Sequence, residues 1–114
     1  MGAVSFRTAT RVVPLGDQAR LRRHPPAFGL EQWQLDGLVD DAAAQALILQ
    51  LMGARQALGD LDHVVLDWKD AVIESDAMTA ASAVCSVAEQ CGARLAHKPE
   101  NLPESAPVTA FAEA

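Results

Sequence analysis

The chain has 114 residues, half of them hydrophobic, with a formal net charge of −6 and a pI of about 4.8. That length and apolar content suit one domain with its own core and argue against a disordered segment. An acidic surface repels phosphate backbones and anionic lipid, so nucleic acid is not an expected partner.

The longest apolar run falls far short of a membrane span, so no membrane insertion is expected. Residues 1–6 lack a basic stretch followed by an apolar one, and Phe6 stands where a myristoylation signal wants Ser or Thr. A cytoplasmic protein is the resulting expectation.

In chain order, residues 3–24 read as a hairpin. Val4 to Val13 alternates loosely, Pro14-Leu15-Gly16-Asp17 supplies the turn, and Ala19 to His24 returns. Arg20, Arg22 and Arg23 there suit a charge-protected edge strand or a contact for an acidic partner. Pro25-Pro26 breaks the strand, and Phe28 to Leu35 reads as the next, with Asp36-Gly37 as a turn.

Asp40 or Asp41 can cap a helix over residues 41–58, whose apolar face is Leu47, Ile48, Leu51, Met52, Ala54 and Leu58. Gly53 within it suggests close packing on a sheet, and Gly59 fits a left-handed position after the last turn. Val64-Val65-Leu66 is short and apolar on both sides, the pattern of a parallel strand covered from both faces. Val72-Ile73 can add a little more extended chain.

Ser75 or Asp76 is the expected N-cap of a second helix, over residues 77–91, with Met78, Ala81, Val84, Cys85, Ala88 and Cys91 as its buried stripe. Ser82 falls outward or on a flank. Gly92 ends that helix, and Ala93 to Ala96 is a short returning strand. Residues 98–114 read as a loop-like tail from which Phe111 can tuck back.

The sum is an α/β fold: a single mixed sheet of four or five strands with helices packed mainly on one face. The expected organisation is one domain over residues 1–114, with a core at about residues 28–97.

Ligands of open α/β sheets gather beyond the carboxyl ends of strands. That region is residues 67–76, with Asp67, Asp70, Glu74 and Asp76, the Ser75 hydroxyl and the Lys69 amine. Its spacing matches no calcium loop. His24, His63 and His97 do not sit at metal-ligand spacing. Cys85 and Cys91 are about 9 Å apart along a helix, too far for a disulfide. Trp33 and Trp68 read as packing residues. No phosphate loop, nucleophile elbow or paired-cysteine zinc pattern is present. The sequence therefore gives no catalytic residue, metal or cofactor to assign, and no enzyme is expected.

The stretch His63-Val64-Val65-Leu66-Asp67, then Ala71 to Met78, then the helix to Gly92-Ala93-Arg94-Leu95, resembles a STAS domain. These are the modules of anti-sigma factor antagonists and of sulfate-transporter tails. Leu35 to Ala42 is similar to the family's junction between strand and first helix, so the resemblance covers roughly residues 28–97.

The family's second helix opens Asp-Ser-Ser/Thr-Gly-Leu; here the stretch is Glu74-Ser75-Asp76-Ala77-Met78. Asp76 stands at the position phosphorylated in the antagonists, and a carboxylate cannot take that phosphate. Ser75 remains as a candidate phosphoacceptor. A phosphate there would add nearly two negative charges at a docking surface.

The resemblance implies a non-catalytic regulatory module. It would dock a protein partner through Glu74, Ser75, Asp76, Ala77 and Met78, with Asp67 nearby. That partner would be a kinase-like anti-sigma factor, a transporter component or a domain of a parent protein; a homodimer is left open. The alternative it implies is a carrier of a lipid or nucleotide, favoured by an apolar pocket beneath Leu47, Leu51 and Val84.

Overall fold

The computed structural model describes residues 9–103. The expectations for Val4 to Thr8, and for Phe111 and its neighbours, lie outside those residues. Eight elements follow in order: β1 (Arg11–Leu15), β2 (Ala19–Arg23), β3 (Glu31–Val39), α1 (Asp41–Leu58), β4 (Val64–Ile73), a 3₁₀ turn (Ser75–Ala77), α2 (Met78–Gln90) and β5 (Arg94–Ala96).

The five strands form one mixed sheet in the order β1-β2-β3-β4-β5. β1–β2 and β2–β3 are antiparallel; β3–β4 and β4–β5 are parallel. Both parallel crossovers step the same way along the sheet. Right-handed crossovers then place both helices on one face, where α1 and α2 pack against each other. The α/β class, the mixed sheet and the one-sided helices are as the sequence indicates.

Local chemistry sets the first helix. Asp40 accepts a hydrogen bond from the Ala43 N–H at 2.8 Å and so caps it. Gly59 ends it with φ 83°, its N–H donating to Arg55 O at 2.8 Å. Ala43, Ala44, Leu47, Leu51 and Ala54 make its buried face. Met52 and Leu58 were expected there and are more than half exposed. Gly53 does not serve close packing on the sheet, since a Cβ at that position would meet nothing within 4 Å.

The core lies between the helices and the sheet. Leu47 and Leu51 from α1, with Ala81 and Val84 from α2, pack on Trp33, Leu35, Val64 and Leu66. All eight are 0% exposed, and each fully buried leucine contributes roughly 1.5–3 kcal/mol. Ser82 is buried too, against the expected outward placement, because its Oγ donates to Pro103 O at 2.7 Å.

Three strand expectations need correction. Phe28 and Gly29 are not in a strand. They form a tight turn with φ 55° and 78°, closed by paired hydrogen bonds between Ala27 and Leu30. Asp36-Gly37 is not a turn but the interior of β3. There Gly37 has φ 99°, and a Cβ would lie 2.2 Å from Gln18 O; glycine is what lets β2 approach. Val64 to Leu66 is the start of a longer strand, helix-covered on one face only, with Val65 half-buried on the other.

The face of the sheet opposite the helices is polar and cross-linked. Arg22 donates to Asp36 at 3.1 Å, and Arg20 lies 3.6 Å from the same carboxylate. His24 Nε2 donates to Gln34 Oε1 at 3.0 Å, and Gln34 in turn donates to Asp70. Gln32 Nε2 donates to Asp67 Oδ2 at 3.0 Å. On the helix side, Arg23 ion-pairs with buried Glu31 at 3.1 Å and stacks on Trp33, 4.4 Å from the ring centroid. The hairpin arginines thus serve the sheet's own carboxylates. β2 is also not an edge strand, since β1 flanks it.

Candidate functional site

β4 contains a bulge that shapes the end of the sheet. Gln34 pairs with Asp67 and Asp36 with Asp70, so two steps along β3 match three along β4. Asp67 therefore faces the open side while Trp68 turns under the helices. Residues 67–70, expected in a loop, lie in the strand because Gln32 and Gln34 satisfy the carboxylates of Asp67 and Asp70.

Past Ile73 the chain leaves the sheet. Glu74 N–H donates to Val39 O at 2.9 Å, which fixes the exit point beside the end of β3. Ser75–Ala77 then forms a 3₁₀ turn, and α2 begins at Met78 rather than at residue 77. The N-cap position of α2 falls on Ala77, and neither the turn nor the helix has a side-chain cap hydrogen bond. The expected capping role of Ser75 or Asp76 is therefore not used. Ala77 is buried, Glu74 and Met78 are partly exposed, and Ser75 and Asp76 are exposed.

Beside this turn lies an open cleft of about 410 Å³, lined by Trp68, Lys69, Ala71, Ile73, Met78, His97, Pro99 and Glu100. Its floor is apolar. Trp68 is 2% exposed, and its Nε1 has no hydrogen-bond partner among the described residues. A buried donor left without a partner costs about 1–3 kcal/mol. Lys69 and Glu100 carry the formal charges of the lining, and His97 joins the cleft to the sheet.

Asp67 sits apart from the turn, on the open face of β4. It accepts from Lys69 N–H at 2.9 Å, from His97 Nδ1 at 2.9 Å and from Gln32. Burial works against its charge. The Lys69 N–H, the His97 bond and charge, and the Gln32 bond outweigh that and hold the carboxyl below its usual range. Of the sequence-selected residues, the structure joins Glu74, Ser75, Asp76, Ala77 and Met78 at one turn; Asp67 does not line the cleft and reaches it through His97 and the Lys69 N–H.

Trp68, Lys69, His97, Pro99 and Glu100 were not singled out as lining such a cleft. The bulge brings the first two in, and the turn after β5, where His97 has φ 53°, brings the rest. Neither feature has a periodic signal in the sequence.

Cys85 and Cys91 are free and buried, and burial pushes the Cys85 thiol up to about 11. Among the described residues no cluster of three His, Cys, Asp or Glu groups could hold a metal ion. No helix among them is long and apolar enough to cross a membrane. Comparison with protein-family models, with curated proteins and with solved structures finds no significant match to this chain.

Proposed function

We propose that the chain is a non-catalytic interaction module, similar to STAS domains, that docks a protein partner through the turn opening α2. The observation that carries this reading is the unused chemistry of that turn. Ser75 and Asp76 are presented beyond the carboxyl end of β4, and no side chain there caps the helix they precede. A purely structural turn would use such side chains as caps; here they are left to meet another molecule. The order of elements around the turn is also the one the resemblance implies.

Glu74, Asp76 and Glu100 give the site an acidic rim, which suits a partner with a basic patch. Lys69 is the cation beside them. The adjoining cleft can seat one apolar side chain of that partner. Because Asp76 holds the position phosphorylated in anti-sigma factor antagonists, the site carries a fixed charge there. Ser75 is the hydroxyl left for a kinase.

The test is affinity capture from the source cell with the wild-type chain and with the Asp76→Lys and Ser75→Glu variants. Loss of one specific partner in both variants supports the reading. An unchanged partner set removes the turn from the interface.

A second reading, a small-ligand module, rests on the orphaned Trp68 donor. The pocket it first called for, beneath Leu47, Leu51 and Val84, is filled by those side chains themselves. A ligand would instead occupy the Trp68 cleft, and native mass spectrometry of the purified chain would reveal its mass.

A further inference from the structure

We infer that the chain pairs with a second copy of itself through the outer face of α1, the two helices running antiparallel about a two-fold axis. Residues 42–54 contain no charged side chain. A helix lying between a sheet and water ordinarily carries its charges on the outer side. Here the outer side instead shows Leu49 at 69% and Met52 at 56% exposure.

Ala42, Gln45, Leu49, Met52 and Gln56 recur at alternating steps of three and four, the spacing of a helix–helix seam. Gly53 lies beside that seam. The chain's own packing does not require it, since a Cβ there meets nothing within 4 Å. A bare backbone at that point lets another helix come close.

Charge placement identifies the occupant. Asp41 and Arg55 bound the uncharged stretch, one at each end of the helix. Their midpoint is residue 48, next to Leu49, and the midpoint of Gln45 and Met52 falls at the same level. One two-fold axis there sets Leu49 near its mate, Gln45 opposite Met52, Ala42 opposite Gly53, and Asp41 opposite Arg55. Residues fourteen apart return to within about 40° on the helix, so Asp41 and Arg55 share an edge. A two-fold axis normal to the plane of the helix pair keeps equal edges together, and the opposite charges meet. Antiparallel pairing also opposes the two helix dipoles. A parallel pair would put equal edges on opposite sides of the seam, so Asp41 and Arg55 would not meet. Arg55 uses one N–H for Gln90 O, at 3.2 Å, which leaves guanidinium donors for the second copy.

The face is separate from the turn that opens α2, so this inference stands or falls independently of the proposed docking site. Sedimentation equilibrium over a dilution series tests it with the full chain, Leu49→Glu, Asp41→Arg, Arg55→Glu and the Asp41→Arg/Arg55→Glu double variant. Circular dichroism confirms that each is folded. The expected result is a wild-type dimer and an association weakened at least about ten-fold by Leu49→Glu, the loss that desolvating a carboxylate imposes. Each single charge reversal weakens it, and the double variant recovers. A wild-type monomer throughout the series overturns the inference and leaves the face to a different protein. So does a Leu49→Glu dimer of unchanged strength, or a double variant no better than the singles.

Discussion

Asp67 and His97 face each other at 2.9 Å across the last two strands. The pair ties the polar face of the sheet to the segment that lines the cleft beside α2. Asp67 holds three hydrogen-bond donors at once, so removing its side chain leaves Gln32, the Lys69 N–H and His97 without their acceptor. Asp67→Ala is expected to cost about 1–3 kcal/mol, read by urea unfolding at neutral pH.

The same carboxylate has a pH signature. Its folded-state pKa lies below the usual carboxylate range. Its stabilisation is therefore complete above that range and is lost as the pH falls through the folded value. Asp67→Asn should be less stable than wild type at neutral pH and lose less on acidification below about pH 4. Parallel acid limbs for the two proteins would contradict the assignment.

Gly37→Ala should be among the most disruptive single changes. The added Cβ would sit 2.2 Å from Gln18 O, on a backbone with φ 99°. Neither neighbour can yield without separating β2 from β3. A loss of roughly 3 kcal/mol or more follows from backbone strain and lost pairing together. Thermal unfolding measures it, and a near-neutral result would mean that the strand pair is not as close as described.

Arg23 and Glu31 form the buried ion pair of the molecule's helix side, with side chains 13% and 7% exposed. Arg23→Met removes that cation from beside a buried carboxylate and should cost about 3 kcal/mol. Adding Glu31→Gln removes the charge yet keeps an acceptor for Trp33 Nε1, which now donates to Glu31 at 2.9 Å. The double variant should therefore recover much of the loss in a denaturant titration.

Cys85 should be inert in the folded chain. Burial lifts its thiol to about 11, so almost none is thiolate at neutral pH. Maleimide labelling is expected to be slow until denaturant is added; rapid native labelling of Cys85 would show that the packing of α2 opens readily.

The first helix was legible because its signals are local. Asp40 caps it, Gly59 closes it, and the spacing of Leu47, Leu51 and Ala54 marks its inner face. Residues 67–70 misled because their partners, Gln32 and Gln34, stand on another strand more than thirty residues earlier. Nothing in Asp67, Lys69 and Asp70 themselves shows that a neighbouring strand will satisfy the two carboxylates. Asp36-Gly37 reads as a turn by composition, yet the glycine answers a tertiary need, the approach of Gln18. At the candidate site, Ser75 and Asp76 resembled ordinary caps. The intervening 3₁₀ turn moved the cap position to Ala77, and that displacement is what frees their side chains.

The most direct test of the docking account is hydrogen exchange on the full chain, alone and with its captured partner. The account predicts that the partner slows exchange of amides at residues 74–80 and at 97–100, the turn and the segment lining the cleft. The sheet's hairpin should be unaffected. Protection confined to other elements, with residues 74–80 exchanging as before, would contradict it.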